Sequence, residues 1–95
     1  MRSRDWINIV REIGEELVVI YKESLAECLG VTVDELEEKV EELSESDFEF
    51  LANCQNMAES DAWNWANSTW GWRVDSRVWD EVEKYFQERR YELGI

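Results

Sequence analysis

Apolar residues recur along most of the chain at helical spacing. Trp6, Val10, Ile13, Leu17 and Ile20, continued by Ser24, follow a heptad-like stripe, and Ile9, Val18, Tyr21, Leu25, Cys28 and Leu29 widen it. The spacing predicts a helix over 4–29, about 39 Å long, with Ser3 as its cap and Asp5 in its first turn. The run VVIY at 18–21 suits a strand, but four residues do not outweigh the long 3.6-residue period around them. Gly30 is placed to end the helix in the left-handed conformation.

A second, shorter period follows. Val33, Leu36, Val40 and Leu43 fall at steps of 3, 4 and 3, one stripe of an amphipathic helix ending near Leu43. Thr32 and Glu35 have the spacing of a capping box, and Asp34 and Glu35 put negative charge where the helix dipole favours it. Ser44 and Asp47 offer a further N-terminal cap for a third helix. Phe48, Leu51, Ala52, Ala58, Ala62, Ala66 and Trp70 lie within about 120° of one another on that helix. Glu59 falls inside the same arc. A charge in a buried face, followed at once by the cap-like Ser60-Asp61, predicts a break near 59–61. The stretch TWGWRVD at 69–75 reads as a loop. Asp75 then caps a last helix over 76–92, with Val78, Trp79, Val82, Tyr85, Phe86 and Arg89 on its inner side. The expected architecture is a single all-α domain over residues 1–95, a bundle of four to five helices organised around the long first one.

Composition agrees with this and narrows the function. Ninety-five residues support one modest core and leave little room for a deep substrate cavity. Proline is absent and glycine occurs only four times, as suits a mostly helical chain. No apolar run approaches a membrane span, and the apolar residues after the basic MRSRDW start are interrupted by Arg11, Glu12, Glu15 and Glu16. No export signal is therefore expected, and the chain is assigned to the cytoplasm. Cys28 and Cys54 sit in no metal-binding or CxxC spacing. The default for them is two free, mostly buried thiols, with a disulfide as the alternative. Histidine, the usual general base and commonest metal ligand near neutral pH, is missing.

Charge changes the picture most. The net charge is −13, and it is unevenly placed. Residues 34–72 carry one basic and eleven acidic residues, and no Lys or Arg occurs from Val40 to Trp72. Such a chain repels nucleic acid and anionic lipid, so neither direct nucleic-acid binding nor membrane binding is expected. It attracts basic surfaces over about a Debye length.

Two groups of residues are candidates for that attraction. The first is the acidic side of the second helix and its flanks: Asp34, Glu35, Glu37, Glu38, Glu41, Glu42, Glu45 and Asp47. Residues 34, 38, 41, 42 and 45 would line one side at intervals of about one turn, roughly 5–6 Å. That repeat is close to the charge repeat of a nucleic-acid strand and suits Arg and Lys built for phosphates. A solvated face that merely confers solubility is the competing explanation. The second group comes from the six tryptophans. Trp63 and Trp70 are seven apart and would share one helix side; Trp65 and Trp72 would share another, about 160° away. One pair suits the core, and the other, Trp65 and Trp72, suits a protein interface.

In size, acidity and helical content the chain looks like the small phage-encoded inhibitors that block CRISPR or restriction complexes, some by imitating nucleic acid. The resemblance implies a non-enzymatic inhibitor without cofactor or metal. Its partner would be a basic nucleic-acid-binding protein or complex, and a homodimer is left open. A second resemblance rests on EEKVEE, where Glu38, Glu41 and Glu42 have the i, i+3, i+4 spacing that can hold Mg²⁺. It is similar to the EExxE half of the MazG-like nucleoside triphosphate pyrophosphohydrolases, whose second half, ExxD, occurs nowhere in this chain. A helical assembly protein that uses its Trp surface to oligomerise is the third expectation.

Overall fold

A computed structural model describes residues 3–95, and side chains from Trp6 onward. The expected Ser3 cap and Asp5 position concern side chains outside that description. The described residues form four α-helices and one 3₁₀ turn: α1 (Ser3–Leu29), the turn Val33–Glu35, α2 (Leu36–Ser46), α3 (Phe48–Trp70) and α4 (Ser76–Leu93). The molecule is an elongated all-α bundle of 47 × 23 × 20 Å.

The long first helix is the central element, because both α3 and α4 pack along it. Its stripe is buried as the spacing predicts: Ile13, Leu17, Tyr21 and Leu25 have no accessible surface. They meet Leu51, Ala58, Ala62 and Ala66 from α3 and Val78, Val82 and Phe86 from α4 in one core. Small alanines on α3 let it lie close against α1. Gly14 plays the same part opposite α4, since a Cβ there would stand 2.9 Å from Tyr85 Cε1. Gly30 ends α1 with φ +72°, the left-handed cap.

The caps explain the other boundaries. Thr32 Oγ1 accepts from the Glu35 amide at 3.3 Å, and Glu35 Oε1 accepts from the Thr32 amide at 3.1 Å. This capping box starts the 3₁₀ turn that leads into α2. The amide of Thr32, aided by its hydroxyl, holds the Glu35 carboxyl below the usual carboxylate range. α2 runs on to Ser46, three residues past the expected end. Ser44 and Ser46 do not interrupt it, because their hydroxyls donate back to the carbonyls of Glu41 and Glu42. Asp47 caps α3, accepting from the Phe50 amide, and Asp75 caps α4, accepting from the Arg77 amide at 2.9 Å.

Two expectations are corrected. The first is the break at 59–61, where α3 in fact runs unbroken from Phe48 to Trp70. Glu59 is tolerated in the inner arc because Arg90 of α4 meets it there, Nη1 donating to Oε2 at 2.9 Å. Gln87 adds a donor at 3.3 Å. Ser60 and Asp61 face outward, and Asp61 accepts from the Ser24 hydroxyl of α1 at 2.7 Å, which is a bridge between helices and not a cap.

The second concerns the cysteines, which are paired in a disulfide with Cα atoms 5.7 Å apart, within the ordinary range. Helix packing sets this up: α1 and α3 run antiparallel, and the last turn of α1 lies beside the second turn of α3. The bridge closes a loop that contains all of α2. With a sequence separation of 26, opening it should cost about 3–4 kcal/mol of stability through the freed unfolded chain. Urea unfolding with and without a dithiol reductant measures this, and identical midpoints would show that the bridge holds nothing.

Candidate functional site

The acidic residues of α2 and its flanks are all at the surface. Asp34, Glu35, Glu37, Glu38, Glu41, Glu42, Glu45 and Asp47 are exposed, while Leu36, Val40 and Leu43 on the opposite side are buried against α1 and α3. Among the described residues one ion pair touches this group, Lys39 Nζ to Glu42 Oε1 at 3.4 Å. Glu35 and Asp47 also serve as caps, so part of their negative charge is committed to backbone amides. Of the other six, Asp34, Glu37 and Glu38 lie in first turns where the helix dipole favours negative charge, Glu42 pairs with Lys39, and Glu41 and Glu45 have no side-chain partner among the described residues. Among the described residues no three carboxylate or thiol groups converge to hold a metal ion, and Glu38, Glu41 and Glu42 form no such cage.

The tryptophan candidates separate. Trp65 is half-buried and packs against the core, as do Trp63 and Trp70. Trp72 is 87% exposed. The two do not share a helix side, because α3 stops at Trp70 and Trp72 belongs to the 71–75 connection. Arg73 folds back over this loop, its guanidinium 5.7 Å from the Trp70 ring and 6.0 Å from the Trp72 ring. The acidic helix and Trp72 are also far apart. α2 joins the first turn of α3 and Trp72 follows its last, so about 33 Å of helix separates them. A single compact patch of carboxylates and indoles is therefore not formed.

The fold adds an anionic element that the chain-order reading passed over. On α1, Glu12, Glu16, Glu23 and Glu27 follow steps of 4, 7 and 4, one face of a helix. Among the described residues none of them has an ion-pair partner. Glu16 accepts a hydrogen bond from the Trp70 indole at 3.4 Å. Arg11 and Lys22 of α1 share a different side with Glu15, about 110° round the helix. Glu15 meets Tyr85 and Arg89 of α4, which fixes that side as the one toward α4. Negative charge on α1 is thus sorted by face, and the i, i+4, i+11, i+15 spacing was the signal for it. Regional net charge hid it, since residues 1–33 as a block are only slightly acidic.

Comparison with protein-family models, with curated proteins and with solved structures finds no match to this chain. Among the described residues no helix is long and apolar enough to cross a membrane.

Proposed function

We propose that the chain is a binding protein, not an enzyme, and that it inhibits a basic nucleic-acid-handling protein or complex of a bacterial or archaeal host. Its acidic surface would occupy sites built for phosphates, in the manner of anti-CRISPR and anti-restriction inhibitors. The observation that carries the reading is the division of α2. Leu36, Val40 and Leu43 supply its packing, and of the six exposed carboxylates on and beside it that cap no helix only Glu42 has an ion pair among the described residues. Like charges at i, i+3 and i, i+4 cost a few tenths of a kcal/mol per pair. A short helix that keeps so many has a use for them beyond its own stability.

The four glutamates of the α1 stripe add a second anionic face about 22 Å long. This suits a channel that grips a strand of nucleic acid better than it suits a small pocket. The cytoplasmic placement belongs to this proposal and rests on the partner. The Cys28–Cys54 disulfide does not support that placement, since such bonds are rare in a reducing cytosol. The deciding test is capture of the purified chain's partner at low and high salt, with the α2 glutamates neutralised in parallel.

Trp72 is a second anchor in this reading, at the far end of the bundle. Truncating it to Ala should weaken partner binding several-fold and leave the melting temperature unchanged, because the ring is almost fully exposed. Trp65→Ala should do the reverse, since that ring packs on the core. Calorimetric melting beside a binding titration separates the two, and a drop in melting temperature for Trp72→Ala would remove it from the interface.

A further inference from the structure

We infer that a groove between α3 and α4, walled by Trp63 and Trp79 and edged by Asp80 and Glu83, binds an arginine side chain presented by the basic partner. The inference rests on the proposed function for the source of the arginine, and on the groove itself for the chemistry.

The groove has a volume of about 270 Å³ and is lined by Trp63, Asn67, Trp79, Asp80 and Glu83. That is below the roughly 300–1,000 Å³ of small-molecule sites and suits one long side chain. Its aromatic walls are fixed. The Trp63 and Trp79 rings meet edge-to-face with centroids 6.1 Å apart, and Trp63 is held from behind by Phe86 at 5.9 Å. Both indoles are half-buried against the core, so little freedom remains to be lost on binding. The edge is anionic. Asp80 and Glu83 lie one turn apart on α4, exposed, and neither has an ion-pair partner among the described residues. Among the described residues no Lys or Arg lines the groove. Aromatic faces beside carboxylates, with no internal cation, recognise an organic cation.

The same fold already places guanidinium groups in such surroundings. Arg90 lies 4.5 Å above the Tyr21 ring and 5.7 Å from the Phe86 ring, with Glu59 accepting from its guanidinium. Arg73 stacks over Trp70 and Trp72. Both are guanidinium groups on aromatic rings, and the first adds a carboxylate, as the Trp63–Trp79 groove does. A planar guanidinium can lie on an indole while its edge donors reach two carboxylates; a lysine ammonium is more strongly hydrated and lacks the planar fork. Trp63 lies about 22 Å along α3 from its α2 end.

The test uses the full chain and Nα-acetylarginine methylamide, read by NMR of the indole N–H signals. The Trp63 and Trp79 signals should shift progressively, with a dissociation constant on the order of millimolar, as one side chain provides. The matching citrulline compound, neutral and of similar shape, should shift them far less. Asp80→Asn with Glu83→Gln should weaken arginine binding about fivefold, the loss of two exposed ion pairs, and leave the fold unchanged because both side chains are exposed. Equal shifts with citrulline would make the groove merely apolar, and equal shifts with Nα-acetyllysine methylamide would remove the guanidinium assignment. Unchanged affinity in the double variant, or shifts confined to other indoles, would overturn the inference. None of these readouts uses the partner. A negative titration beside intact, α2-dependent partner binding therefore fails the groove alone.

Discussion

Replacing Glu37, Glu38, Glu41 and Glu42 together with Gln is expected to slow association with the basic partner by about tenfold to a hundredfold, and to leave the bundle folded. Gln matches Glu in size and nearly in helix propensity. All four side chains are exposed, and among the described residues only Glu42 has an ion pair, to Lys39. The caps that set α2 and α3, Glu35 and Asp47, are untouched. Removing like-charge neighbours should therefore hold or slightly raise stability. The loss should appear chiefly in the association rate, because steering depends on the summed field of the face and less on any one contact. Added salt should weaken the parent far more than the variant, since screening and neutralisation remove the same attraction. If the face is there for solubility, affinity and its salt dependence stay put while aggregation rises. Stopped-flow association at several salt concentrations distinguishes the two outcomes.

The fold was legible where the apolar period was long and the caps were explicit. The α1 stripe, the Thr32–Glu35 box, the Gly30 cap and the Asp75 cap all rest on contacts within a few residues, and each is found in the structure. What was misread depended on partners distant in sequence. Glu59 looked like a helix breaker because its cation lies 31 residues away on α4. Cys28 and Cys54 looked free because only antiparallel packing of α1 on α3 brings them together. Of the candidate site, the exposure of the acidic face followed directly from its amphipathic spacing. The pairing of Trp65 with Trp72 did not hold, because the helix ends between them and Trp72 leaves on the loop. The Trp63–Trp79 groove joins residues from two helices, so no pattern within either one announces it.

Arg90→Leu should be among the most damaging single substitutions, costing about 3 kcal/mol. The Arg90 side chain is only 17% exposed and Glu59 33%, so this pair sits largely out of water. The guanidinium does three things at once. It neutralises Glu59 at 2.9 Å, covers the Tyr21 ring at 4.5 Å and contacts Phe86. Tyr21 in turn donates from Oη to the Ile95 carbonyl at 2.6 Å, where Gln55 also donates, so the end of α4 is tied to α1 and α3 through the same cluster. Burial raises the Tyr21 pKa, and Arg90 opposes that rise. Taking Arg90 away leaves Glu59 facing the core with Gln87 as its remaining donor. Leu fills much of the space but cannot supply the charge. The double variant Glu59→Leu/Arg90→Leu should recover most of the loss, since apolar replacement of both partners removes the stranded charge along with the pair. A double-mutant cycle in urea unfolding isolates the coupling, expected at about 2 kcal/mol. Additive single losses would mean that the rings, and not the carboxylate, hold Arg90 in place. The continuity of α3 through Glu59 would then need another cause.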